Sequence, residues 1–174
     1  MSIAAVRNTG SGTENGIVIP DHCNRNTSQY YQADNDEELH LVGSQTGDGG
    51  WYCDCDFVKS DSRTTDAWKI NLASSDYSLL GKSDLSVNDY VFLYGARSGL
   101  DSGRIVEVDV SKRFDGKEFS NLYEISGIDY TDGDSGAPIV GAWNKTYGGM
   151  NIGEHGDYNY GHEWTFLKSK LSLQ

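Results

Sequence analysis

The chain has 174 residues, 37% of them hydrophobic, which suffices for one compact domain or two small lobes that share a site. Its formal charge of −12 repels the phosphates of nucleic acids and anionic membrane surfaces, so neither is expected as a partner. No stretch approaches the roughly 18 apolar residues of a membrane span, and residues 1–12 lack a charged segment followed by an apolar run, so no leader peptide is expected in this chain; a secreted mature domain and a soluble intracellular protein both fit.

Glycines number 21 against 2 prolines, and short apolar runs alternate with turn residues, the pattern of strands joined by loops. In chain order, strands are expected at residues 3–7, 17–20, 38–43 and 51–59, the last rich in aromatic and β-favouring residues. A polar region at about 80–88 separates the halves. Strands follow at 90–94, 103–110, 122–125, 137–143 and 148–153, and residues 164–173 read as a strand end running into a short helix. The fold class is therefore all-β with a C-terminal helix.

Three cysteines do not build a disulfide framework. Cys53 and Cys55 lie two apart, on one face of the expected strand. A bridge from Cys23 to one of them and three reduced thiols fit equally well. A lone Cys-x-Cys pair is a weak zinc signal, so no metal is expected.

The segment Gly133-Asp134-Ser135-Gly136-Ala137-Pro138 carries the strongest chemical signal. A serine hydroxyl becomes a nucleophile only with a base in reach, a group orienting that base, and donors for the oxyanion. Flanking glycines permit a tight turn in which the N–H groups of Gly133 and Ser135 can point at one spot. Asp134, adjacent in sequence, is expected to hold the turn through an ion pair or hydrogen bonds. Of the histidines His22, His40, His155 and His162, His22 follows directly on an apolar strand and is the candidate base. Asp54 lies in an aromatic and apolar run where an acid needs a partner, with Asp56 in the same phase as the competing choice.

These residues resemble the trypsin-like serine peptidases of the chymotrypsin fold, above all the compact bacterial type. The serine segment is similar to that family's GDSGGP, with Ala137 in place of the second glycine. Residues 16–23, ending in His22-Cys23, resemble the strand that ends in Ala-Gly-His-Cys. Asp54-Cys55-Asp56-Phe57-Val58 is similar to Asp-x-Ala-Phe-Val. Residues 94–106 resemble the glycine-rich hairpin that opens the second barrel. The order His22, Asp54, Ser135 is the family's own.

The resemblance implies two antiparallel six-stranded β-barrels, at about 1–80 and 89–163, in a single peptidase domain spanning 1–174, then a helix at about 164–173. It implies a His22–Asp54–Ser135 triad, an oxyanion hole from Gly133 and Ser135, a peptide or protein substrate, and no cofactor. Asp129, six residues before Ser135, stands where family members carry the acid that selects Lys or Arg. Residues 152–156 (Ile152, Gly153, Glu154, His155 and Gly156) resemble the pocket wall, where His155 stands as the glutamate-selecting histidine of other members. The expectation is an endopeptidase with a basic preference; the alternative is an inactive binding module on the same fold.

Overall fold

A computed structural model describes residues 3–23, 29–33, 39–61, 69–72 and 75–174. In the first half, β1 (Ile3–Thr9), β2 (Gly12–Ile19), β3 (Tyr30–Ala33), β4 (Leu39–Asp48) and β5 (Asp56–Ser60) form one antiparallel sheet in the order β1-β2-β5-β4-β3. A separate hairpin follows, β6 (Lys69–Leu72) with β7 (Ser75–Ser78). β2 and β5 pair through Val18 and Phe57, both buried. Gly16 allows their close approach, since a Cβ there would meet the Val58 carbonyl oxygen at 2.2 Å.

In the second half, β8 (Gly81–Lys82) runs parallel to β13 (Thr146–His155). The strands β9 (Tyr90–Gly95), β10 (Gly99–Phe114), β11 (Lys117–Ser126), β12 (Pro138–Gly141), β13 and β14 (Tyr158–Glu163) close into a ring, because β12 pairs with both β9 and β13. Local chemistry sets its corners. Asp115 and Gly116 both have positive φ, 48° and 83°, and form the two-residue turn between β10 and β11 that suits the strand twist. Val91, Leu93, Ile105, Tyr123, Ile125 and Ile139 fill this ring with side chains less than 1% exposed.

A larger cluster joins the halves. Val18, Cys53, Cys55 and Phe57 pack in one core with Leu122, Met150 and Tyr160, and with Trp164, Leu167 and Leu171 of α1 (Trp164–Leu171). Beyond α1 the chain turns back through Ser172, which has φ 56°. It then pairs with β1: Asn8 N–H donates to the Ser172 carbonyl at 2.8 Å and Gln174 N–H to that of Val6 at 2.9 Å. Among the described residues no helix is long and apolar enough to cross a membrane.

Several sequence expectations shift. The strand expected over 51–59 begins only at Asp56; Trp51 and Tyr52 form a turn, and Cys53, Asp54 and Cys55 lie outside any strand. The reason is covalent: Cys53 and Cys55 are bridged to each other, which is neither of the two alternatives left open by the sequence, and the Cys23 thiol is free and exposed. The strand expected over 137–143 is shorter, ending at Gly141, while β10 and β13 are longer than expected.

Candidate active site

Ser135 sits in the loop between β11 and β12. Gly133 and Gly136 both have φ in the left-handed region, 105° and 85°. Asp134 braces the turn from inside. Its carboxylate accepts the N–H groups of Arg97 at 2.7 Å, Ser98 at 3.2 Å and Thr131 at 3.2 Å. Burial alone raises its pKa, but these donors outweigh that and hold the carboxyl below its ordinary value. Gly136 N–H donates to Asn151 and Asn151 N–H to Ala137, fastening the serine loop to β13.

His22 lies in a single 3-10 turn, Asp21–Cys23, that follows β2. Its backbone N–H donates to Asp54 Oδ1 at 2.9 Å, and its ring Nδ1 lies 2.5 Å from Asp54 Oδ2. On the other side of the ring, Nε2 lies 3.0 Å from Ser135 Oγ. Three residues far apart in sequence thus form one continuous hydrogen-bonded chain. The hydrogen bond to Asp54 is the main cause that pushes the His22 pKa up to about 10; Cys23 adds to it, and burial opposes it. Asp54, not Asp56, makes this contact, since Asp56 is buried within β5 opposite Ile19 and Asp48.

Asp54 is also held from the second half. Its N–H donates to Nε2 of His162 at 2.8 Å, and the His162 Nδ1–H donates to the Ser120 carbonyl at 3.2 Å. His162 is fully buried, with its ring stacked on Phe166 and edge-on to Phe119. That burial lowers its pKa to about 4, so it is neutral and both ring nitrogens have a defined role. Sequence reasoning gave His162 no role. The available signal was its place in an aromatic run with Tyr160 and Trp164, both buried.

Tyr130 was also missed. Its hydroxyl lies 2.9 Å from Ser135 Oγ, and Ser135 O–H reaches the Ile152 carbonyl at 3.4 Å. The register of β13 against β14 shifts between Asn151 and Gly153, and this bulge lies at Ile152. Tyr130 also lines a cavity of about 520 Å³, together with Asp129, Glu154, Asp157 and Tyr158 among others. Asp129 and Glu154 therefore share one cavity. His155 does not line it; its ring packs edge-on against Phe114. His40 has no described side chain. Among the described residues, no group of three or more His, Cys, Asp or Glu is placed to hold a metal ion.

No protein-family model matches the sequence, and no curated protein matches it. Solved structures do. A glutamic acid specific serine protease, described as using a histidine triad in substrate binding, superposes with a TM-score of 0.79 at 17% identity, over 99% of this chain and 90% of that one. The alpha-lytic protease homolog N4 gives 0.79 at 19%, and the Nocardiopsis protease NAPase 0.75 at 18%, with the same coverage. The fold is that of the bacterial chymotrypsin-type serine proteases: two β lobes, one closed into a six-stranded barrel, and a short C-terminal helix.

Proposed function

We propose that this protein is a serine endopeptidase, with Ser135 as nucleophile, His22 as general base and Asp54 as the orienting carboxylate. The observation that carries this reading is the chain from Asp54 Oδ2 through the His22 ring to Ser135 Oγ, with links of 2.5 and 3.0 Å. Ser135 Oγ attacks the scissile carbonyl carbon as its proton passes to His22 Nε2. Asp54 accepts from Nδ1–H and stabilises the imidazolium. His22 then gives the proton to the leaving amine, and water, activated in the same way, releases the acyl group from Ser135. The N–H groups of Gly133 and Ser135 serve the oxyanion, each contributing roughly 3–4 kcal/mol to the transition state.

The substrate is a peptide, and the residue bound before the cut is basic. The cavity that Tyr130 walls brings together Asp129, Glu154 and Asp157, which attract an ammonium or guanidinium group and repel a carboxylate. A histidine-based glutamate pocket lacks support among the described side chains: His22 and His162 are engaged with Asp54, and His155 lies against Phe114.

The test is labelling with a fluorophosphonate probe, followed by sequencing of cleaved peptides. Labelling of the folded protein that disappears in Ser135→Ala supports the triad. No labelling of wild-type protein overturns the enzyme reading and leaves a binding module on this fold. Cleavage after Lys or Arg, weakened about tenfold or more in Asp129→Ser, supports the basic pocket. Cleavage after Glu overturns it.

A further inference from the structure

The nucleophile has one proton to give and several neighbours that compete for it. Ser135 Oγ lies 3.0 Å from His22 Nε2, 3.4 Å from the Ile152 carbonyl and 2.9 Å from the Tyr130 hydroxyl. The carbonyl can only accept. Neutral His22 accepts at Nε2, because its Nδ1–H is committed to Asp54. Of these three, the Tyr130 hydroxyl is placed to donate to Oγ. When it does, a serine lone pair is occupied, and the serine proton is free to point at Nε2 while the remaining lone pair faces the substrate.

We propose that Tyr130 is a further catalytic residue: its phenol donates a hydrogen bond to Ser135 Oγ, orients the serine proton toward His22, and steadies the negative charge on Oγ as that proton leaves. This rests on the serine peptidase reading above. During attack the Oγ–carbon bond forms, the carbonyl π pair moves to its oxygen, and the Oγ proton moves to His22 Nε2. Tyr130 keeps its own proton throughout. Its side chain also lines the acidic cavity, while its hydroxyl is turned to Ser135.

Tyr130→Phe removes the hydroxyl and keeps the ring. The expected result is a rate of Ser135 labelling and a kcat both lower by roughly tenfold, with KM within about twofold, because the lost bond acts on the reacting atom and not on the pocket. Labelling and turnover equal to or faster than wild type overturn the proposal. A wild-type protein that does not label overturns the peptidase reading, and this proposal with it. A wild type that labels while Tyr130→Phe labels equally fast leaves the triad standing and removes only Tyr130. As a second variant, difluorotyrosine at position 130 keeps the shape and lowers the phenol pKa from its usual value of about 10. The labelling rate relative to wild type at the same pH should then fall as the phenol ionises and its donor is lost. A ratio to wild type that stays flat across that range overturns the proposal even where Tyr130→Phe is poorly folded.

Discussion

A histidine that takes the Ser135 proton must itself be neutral beforehand, and its hydrogen bond to Asp54 works against that. With the His22 pKa raised from 6.5 to about 10, chiefly by this bond, the imidazolium dominates at neutral pH. The sign follows directly: the neutral base becomes more populated as pH rises, so kcat/KM should climb through the alkaline range. In Asp54→Asn the limb should move down toward 6.5, because the raising contact is gone. The plateau should drop roughly 10⁴-fold, because the ring loses its orientation and its counter-charge. A pH profile of peptide hydrolysis checks both; a limb that stays in place in Asp54→Asn would show that Asp54 does not set the His22 pKa. The three residues of the proposed triad were singled out at this scale because each carries a local mark: glycines around Ser135, an apolar strand before His22, an acid inside an aromatic run for Asp54. Tyr130 carried no such mark, since only the curl of the 127–137 loop brings its hydroxyl back onto Ser135.

At the scale of elements, the segment before β5 shows where composition misleads. Trp51-Tyr52 has the residue types of a strand, yet both side chains are exposed and the backbone turns. Cys53 and Cys55 are buried, and the bridge between them brackets Asp54. A loop closed across a single intervening residue removes little entropy from the unfolded chain, about 1–2 kcal/mol. Its effect is therefore local: it fixes the backbone that presents Asp54. The double substitution Cys53→Ala, Cys55→Ala should lower unfolding free energy only modestly, by about that amount plus lost packing, while kcat falls and KM holds. Chemical denaturation and steady-state kinetics separate the two; an unchanged kcat would assign the bridge to stability alone. The hairpins of the second half were readable because Asp-Gly and glycine-rich turns specify them. His162 was not, since its partner Asp54 lies 108 residues away and the contact exists only once the two halves have met.

For the whole molecule, that same histidine imposes a dependence on acid. Folded His162 has a pKa lowered by burial to about 4, whereas in the unfolded chain it returns to about 6.5. Between those values the unfolded state binds a proton that the folded state refuses, so stability should fall as pH drops through this window, by an amount on the order of a few kcal/mol. Thermal melting against pH measures it. His162→Gln, which can still accept from Asp54 N–H, should flatten the slope; an equally steep slope in that variant would place the acid sensitivity elsewhere. The halves are joined by further ties. The Lys117 ammonium reaches Asp21 across the site at 2.9 Å, and the chain beyond α1 pairs with the edge of β1.

Asp54 thus answers to both halves at once, through His22 on one side and His162 on the other. A small separation of the lobes would spare each lobe's own sheet and still unseat this carboxylate. The site then behaves as a fuse: under mild denaturant, reactivity at Ser135 should fail while the strands of both lobes are still intact, so that a loosened molecule is silenced before it has come apart.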